Sequence, residues 1–394
     1  MKIAILGHGT VGQGVSEIIN DAPVSKSTAQ IDIAYVWVRP EKENDQPHYT
    51  ADYQKILDDP TVDVVVEVLG GIEPARTMIL AALEHGKHVV TANKAVVARY
   101  LVLFNQMAEK HQVKFYFESS VGGGIPWIIN LERALRIDEV DSIHGIFNGT
   151  SNFILDQMTK TGASFEDILK EAQDLGYAEA DPSADIDGFD IENKLCISAG
   201  IAYNTVIEPG DQLLKFGIRN ITAADIAFFK KHNWVVKLLG RSLRKEDTYS
   251  FIIEPTLYLP GEIEAGVHDN YNYVGLRGTT IGKLSFNGQG AGKLPTAHAL
   301  MQDILDLQQG ANHLYQNFDQ KLVLDNRRSI RNYVIRTELD LRQSFADYDL
   351  QQNGHYWLVA DINAEDLHRK IADLIQQDEH IFFACLNRRA QAIL

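Results

Sequence analysis

Lys2–Ile19 reads KIAILGHGTVGQGVSEII. Ile3 to Leu6 make a short apolar run, and Gly7, Gly9 and Gly12 follow in G-x-G-x-x-G spacing. Val11, Val15, Ile18 and Ile19 then give the next segment one apolar face at helical period. A strand, a glycine turn and a helix in that order form a dinucleotide fingerprint. Gly7 permits the tight turn, Gly9 lets backbone approach a pyrophosphate, and Gly12 allows close helix–strand packing. The helix start at Thr10 and Val11 presents N–H groups to the anion.

The next segments extend this into an α/β domain. The second strand, IDIAYVWVRP, ends on Arg39 and Pro40 where an acidic residue would hold the ribose hydroxyls of NAD. An arginine there accommodates a 2′-phosphate, which favours NADP(H), while the nearby Glu41 leaves NAD(H) as the alternative. VDVVVEVLGG is apolar enough for a strand buried on both faces of a parallel sheet. In HVVTANKAVV, Asn93 and Lys94 stand at the strand's C-terminal end, where open α/β sheets bind ligands. KFYFESSVGGGIP ends the domain as a strand running to Glu118, followed by Gly122 to Gly124. Glu118 reads either as a solvated glutamate at a turn or as one ligand of a cation also held by loop carbonyls, since hard cations take oxygen.

Composition bounds what this domain serves. At roughly 100–200 residues per domain, 394 residues make two or three. The net charge of −16 repels nucleic-acid phosphates and argues against nonspecific binding to them. Cys196 and Cys385 form neither a disulfide framework nor a zinc pattern, which suits a reducing, cytoplasmic setting. No run reaches the roughly 20 apolar residues of a membrane helix, and KIAIL lacks the features of a signal peptide. A soluble protein acting on a small molecule is expected.

After Pro126 the pattern changes. IPWIINLERALRID reads as a helix, and in DSIHGIFNGTSNFILDQM a strand ends at Asn148-Gly149, with Thr150 or Ser151 as the cap of the next helix. The helix SFEDILKEAQDLG opens on Ser164 with Asp167 as an imperfect capping-box partner. It leads into Ala172–Lys194, AQDLGYAEADPSADIDGFDIENK. Glu179, Asp181, Asp185, Asp187 and Asp190 crowd this stretch, which ends on Lys194. The run behind the lysine, LCISAGIAY, is apolar on all sides and reads as a buried helix. Asp190 and Lys194, four apart, share a face if the helix has begun. They read either as an exposed ion pair or as a buried lysine poised for proton transfer or charge binding, and the apolar run favours the second. A calcium loop fails: Ser183 would hold its first position and Lys194 would replace its last, a bidentate glutamate.

The 23-residue stretch, the glycine fingerprint, Arg39, TANK, ESSVGGGIP, NGTSNFIL and GAGKLPTA agree in type and order with homoserine dehydrogenases, and the resemblance covers roughly residues 1–312. It implies NAD(P)-dependent interconversion of L-homoserine and L-aspartate 4-semialdehyde, a step toward threonine, methionine and isoleucine. By resemblance Lys194 carries the proton, Asp190 orients it, and Lys94 sits near nicotinamide and substrate as cofactor ligand or second proton carrier. Glu179, Asp185, Gly149, Thr150 and Tyr177 would bind substrate. Gly7, Gly9, Thr10, Val11, Gly12, Arg39, Lys94 and Gly292 would bind cofactor. Glu118 with the carbonyls of Val121, Gly123 and Ile125 would hold a monovalent, sodium-like cation. Asp181 and Asp187 are left to the loop itself, and His268 has no assigned role.

The expected fold is a Rossmann-type nucleotide-binding domain at 1–125 and an α+β substrate and dimerisation domain at 126–312. The second carries an open, mostly antiparallel sheet, with helix 295–308 returning to the nucleotide domain. NYVIRTEL, HYWLVADI and HIFFACL read as strands and NAEDLHRKIADLIQQ as an amphipathic helix, making residues 313–394 a small α+β module. Many relatives carry an ACT-type regulatory domain here with a glycine turn before its first helix. Leu341-Arg342-Gln343-Ser344-Phe345 stands in that place, so the module is expected to be ACT-like in fold and to serve oligomerisation. A homodimer or higher homo-oligomer follows from the resemblance. The competing readings are an oxidoreductase for another amino-acid aldehyde and a catalytically silent nucleotide sensor. The intact Asp190–Lys194 pair argues against the sensor.

Overall fold

The computed structural model describes residues 1–21, 30–43, 48–313 and 317–387. The chain forms two compact units. The first comprises Met1–Glu139, Cys196–Pro209 and Gly288–Gln320, and the second Val140–Leu195, Gly210–Asn287 and Lys321–Leu394.

The first unit holds a parallel six-stranded sheet: β1 (Lys2–Leu6), β2 (Asp32–Trp37), β3 (Tyr49–Thr50), β4 (Val64–Glu67), β5 (His88–Thr91) and β6 (Phe115–Tyr116), in the order β3-β2-β1-β4-β5-β6. The order reverses between β1 and β4, the switch point where doubly wound sheets bind ligands. Its helices are α1 (Thr10–Asp21), α2 (Tyr53–Asp58), α3 (Ala75–Glu84), α4 (Lys94–Lys110) and α5 (Ile128–Leu135). Ile3, Ile5, Val64, Val66 and Val90 form a fully buried core with Val15 of α1 and with Ala297, Leu300 and Ile304 of a later helix. Burial on both faces explains why these strands read as continuous apolar runs.

The glycine turn is built as its spacing predicts. Gly7 has φ +101° and donates its N–H to the Trp37 carbonyl at 3.0 Å. A Cβ on Gly12 would lie 2.2 Å from the Gly7 carbonyl oxygen, while one on Gly9 would meet nothing within 4 Å. Gly14 was not singled out from the sequence, yet its Cβ would lie 2.7 Å from the Lys293 carbonyl oxygen. Gly12→Ala therefore forces α1 off the turn, and dinucleotide affinity should fall at least about tenfold, read by titrating cofactor fluorescence. Wild-type affinity in that variant would contradict the close packing.

The second unit begins with β7 (Val140–Ile146), α6 (Gly149–Thr161), α7 (Phe165–Asp174), α8 (Ser183–Ile186) and α9 (Phe189–Tyr203), whose residues from Cys196 onward belong to the first unit. Then come β8 (Leu214–Lys215), α10 (Ala223–Lys231), β9 (Val235–Lys245), β10 (Thr248–Tyr258), β11 (Tyr271–Gly278), β12 (Gly282–Gln289) and α11 (Lys293–Gln308), which supplies the later helix of the first unit's core. The chain ends with β13 (Val323–Leu324), β14 (Ile330–Arg336), β15 (Leu350–Asn353), β16 (Tyr356–Asn363), α12 (Ala364–Ile375) and β17 (Phe382–Leu386). The sheet runs β12-β11-β7-β9-β10-β17-β14-β16-β15, with β8 and β13 also on β10. Most neighbours are antiparallel, as expected, whereas β10 pairs parallel with β8, β13 and β17. Through Thr256↔Cys385 and Leu257↔Leu386 the sheet passes without a break into the tail strands.

Local details depart from the sequence reading. The cap of α6 is Asn148, whose side chain accepts the Ser151 N–H, not Thr150 or Ser151. An asparagine before glycine is an equally good cap, and the apolar-to-polar boundary alone did not separate the candidates. Glu118 lies past β6 in a 3-10 turn rather than at a strand end. Helix α11 starts at Lys293, two residues before Pro295, which fits in a first turn where no intrahelical donor is needed. In the tail, residues 341–345 form turns whose Leu341 and Phe345 are fully buried against Tyr333, Ile335, Trp357 and Phe383. The module's core is filled there by side chains of a turn, with no helix between β14 and β15.

Candidate active site

The second unit gathers the acidic stretch around Lys194. Gly188, at φ +90°, turns the chain into α9, and the α-helical rise sets Asp190 and Lys194 on one face. Lys194 Nζ lies 2.8 Å from Asp190 Oδ2 and 2.6 Å from the Phe147 carbonyl oxygen. The two side chains are only 7% and 5% exposed, so this is a buried pair rather than a surface one. Asn148 ties the pair to the loop: its Nδ2 donates to Asp190 Oδ2 at 2.9 Å and to Asp185 Oδ1 at 2.7 Å. Its Oδ1 caps α6. Thus one asparagine fixes two carboxylates and a helix start. It was not among the residues singled out from the sequence, although the Asn-Gly at a strand end was the signal.

The other carboxylates separate by environment. Asp187 pairs with Arg219 at 2.6 Å, and Arg219 also reaches Ser183 Oγ. Asp181 accepts the Ser183 N–H at 3.1 Å. Both therefore stabilise the turn that carries α8. Glu179 is exposed, and its main-chain carbonyl accepts from Gln173. The structure does not bring its carboxylate into the Lys194 cluster. Thr150 is buried and donates its hydroxyl to the Tyr177 carbonyl at 2.7 Å, while the Tyr177 ring meets Phe153 edge-on. Gly149 must lack a side chain, because a Cβ would lie 2.6 Å from the Asn270 carbonyl oxygen.

A second buried lysine escaped the sequence reading. Lys237 donates to Asn152 Oδ1 at 3.0 Å and to the Val267 carbonyl. Burial pushes its ammonium down to about 8 despite the nearby Asp156. Asn152 Nδ2 in turn reaches the carbonyls of Val267, Asp269 and Tyr271. Asp156 accepts from His268, Lys160 and the Asp269 N–H. These groups pin the segment before β11 onto α6, and they give His268 a structural place.

In the first unit, Lys94 is the first residue of α4, capped by Asn93, whose side chain accepts the Val96 N–H. Asn93 Nδ2 also donates to the Gly71 carbonyl at 2.7 Å. Beside it, Glu67 at the end of β4 is fully buried and accepts from Thr91 Oγ1 and the Leu69 N–H. Burial raises its carboxyl above the usual range against those hydrogen bonds. Sequence reading passed over Glu67, which looked like one more strand residue. Arg39 is exposed and 3.9 Å from Glu41. Gly292, at φ +123°, precedes α11, and a Cβ on Gly123 would lie 2.5 Å from the carbonyl carbon of Gly290.

The Glu118 loop takes a specific form. Its carboxylate oxygens accept the N–H groups of Ile128 and Ile129 at 2.9 and 2.8 Å, at the start of α5. Burial pushes this carboxyl up to about 7 in spite of those donors. Asp303 accepts the Glu118 N–H at 3.0 Å. Gly122 and Gly123 are both left-handed, which turns successive peptide units of the loop. Among the described residues no three His, Cys, Asp or Glu side chains gather to hold a metal ion. Both oxygens of the Glu118 side chain are thus engaged at the start of α5.

Residues 7–118 match the family described as homoserine dehydrogenase, NAD binding domain, and residues 126–305 match homoserine dehydrogenase. The homoserine dehydrogenase of a Synechocystis strain is 41% identical over 320 residues, 78% of this chain and 73% of that one. That of Bacillus subtilis is 38% identical over 313 residues, covering 77% and 72%. A homoserine dehydrogenase structure from Thiobacillus denitrificans superposes with a TM-score of 0.85 at 32% identity, over 98% of both chains. A hyperthermophilic archaeal homoserine dehydrogenase mutant in complex with NADPH superposes at 0.67, with 25% identity over 79% of this chain and 99% of that one. The chain belongs to the homoserine dehydrogenase family, NAD(P)-dependent oxidoreductases of amino-acid biosynthesis.

Proposed function

We propose that this chain interconverts L-homoserine and L-aspartate 4-semialdehyde with NADP(H) as the preferred carrier, and that Lys194 moves the proton. The observation that carries this reading is the buried Asp190–Lys194 pair, held by Asn148 and the Phe147 carbonyl, in a chain of this family. Hydride transfer to the aldehyde carbon leaves charge on oxygen, which a lysine ammonium neutralises by donating its proton. In the oxidation direction the amine accepts that proton back. Asp190 keeps Nζ in place and balances its charge. Asp185, Gly149, Thr150 and Tyr177 bind the amino-acid end, and Glu179 contributes an acidic surface that suits the ammonium. Lys94 acts on the cofactor or as a second proton carrier.

The nicotinamide cofactor supplies the hydride acceptor. Gly7, Gly9, Thr10, Val11 and Gly12 receive its pyrophosphate, Arg39 faces the 2′-phosphate, and Gly292 allows close approach. A mutant archaeal relative in complex with NADPH is in keeping with NADP(H) as a carrier. A sodium-like cation is proposed on Glu118 with the carbonyls of Val121, Gly123 and Ile125. Residues 1–125, 126–312 and 313–394 serve as nucleotide, substrate and tail modules. A cytoplasmic homodimer is proposed, joined along the sheet edge at β12, where Ile281 is exposed and Leu284 and Phe286 are half-buried. No helix among the described residues is long and apolar enough to cross a membrane.

The test is spectrophotometric. Homoserine oxidation is followed with NADP and NAD in parallel, and turnover favouring NADP is expected. Folded protein that turns over with neither cofactor overturns the reading, and preference for NAD overturns the role of Arg39.

A further inference from the structure

Asn272 lies on β11 and is fully buried. Its Nδ2 donates to the Phe147 carbonyl oxygen at 2.8 Å. That same oxygen accepts Lys194 Nζ. A carbonyl oxygen only accepts, so the amide must turn its nitrogen toward Phe147, which fixes the opposite direction for Oδ1. Oδ1 is buried and has no hydrogen-bond partner among the described residues. It stands 3.5 Å from the place a Cβ on Gly149 would take, at the first turn of α6. Immediately before Gly149 is Asn148, which bridges Asp185 and Asp190. A fully buried amide oxygen without a donor is costly, and native proteins keep few of them.

We propose that Asn272 is a substrate contact, its Oδ1 accepting a hydrogen bond from a donor group of the bound amino acid. This rests on the function proposed above. The polar group is built in from two sides: β11 supplies the amide, and the carbonyl that seats Lys194 orients it. The amino-acid substrate therefore meets an acceptor tied directly to the proton-carrying lysine. Two substrate groups have the required chemistry. The ammonium is present on both homoserine and aspartate semialdehyde, and the hydroxyl only on homoserine.

Asn272→Leu removes the acceptor, and steady-state kinetics in both directions read the result. The substrate KM should rise about tenfold, the size of one lost hydrogen bond, while the cofactor KM stays within about twofold. A rise in both directions identifies the ammonium, and a rise with homoserine alone identifies the hydroxyl. Thermal unfolding is measured on each variant. Where Asn272→Leu does not fold, Asn272→Ala is read in its place with the same expectation. An unchanged substrate KM in the folded variant, or a fall in kcat alone, overturns the contact. The wild type run alongside keeps this outcome distinct: an inactive wild type sinks the proposed function, and an active one with an indifferent Asn272 sinks only this inference.

Discussion

Lys194→Ala is expected to reduce kcat by about 10²–10⁴-fold, the range that a positioned proton carrier contributes, with cofactor affinity unchanged. The geometry behind this is the short bond to the Phe147 carbonyl and the 2.8 Å pairing with Asp190, both in a buried setting. Removing the lysine also leaves Asp190 buried without its countercharge, so the variant should be less stable. Asn148 softens that loss, because its Nδ2 still donates to Asp190 Oδ2. Stopped-flow reduction of bound cofactor separates chemistry from folding, since a folded variant that binds NADP but fails to reduce it isolates the proton step. Turnover within about tenfold of wild type would remove Lys194 from the mechanism.

The largest expected loss of stability lies in the sheet of the second unit. Glu254 on β10 is fully buried and bonded to Arg241 Nη2 at 2.5 Å, Tyr333 Oη at 3.2 Å and His368 Nε2 at 3.0 Å. Strands β9, β10 and β14 and helix α12 thus meet on one carboxylate. Burial by itself would raise the Glu254 carboxyl, but the Arg241 charge and the His368 contact bring it down to about 2. Arg241→Met strands that charge and should cost about 3–5 kcal/mol, the range for breaking one side of a buried ion pair. The sign with pH follows from the depressed carboxyl. The network's stabilisation is complete above the ordinary glutamate value of 4.5 and is lost as pH falls from there toward about 2. Urea titrations of wild type and variant at neutral and acid pH read both effects. A loss below about 1 kcal/mol at neutral pH would mean that the network contributes little.

How far the sequence carried can be judged residue by residue. The glycine turn was legible because each glycine answers a local backbone demand: a left-handed φ at Gly7 and a missing Cβ at Gly12. The Asp190–Lys194 pairing was legible because helical spacing and an apolar run are both one-dimensional signals. Asn148, Lys237 and Asn272 were not, since their meaning lies in partners 42, 85 and 125 residues away. Arg219 was missed for the same reason, being paired with Asp187 across 32 positions. The tail's strands and helix matched their periodicity, whereas the sheet's continuity through β10 and β17 depends on a parallel pairing that no local pattern announces. Glu179 shows the converse. Resemblance gave it a role, and its carboxylate stands exposed, outside the Lys194 cluster.

In the proposed reaction hydride passes directly between homoserine and a nicotinamide cofactor, with Lys194 handling the proton. Oxidation of homoserine carrying deuterium at its hydroxyl-bearing carbon, with mass analysis of the reduced cofactor, tests it most directly. One deuterium should appear at the nicotinamide ring per turnover, and Lys194→Ala should slow its appearance by the same factor of about 10²–10⁴. Reduced cofactor without deuterium, or labelled cofactor formed at the wild-type rate by the variant, would contradict the account.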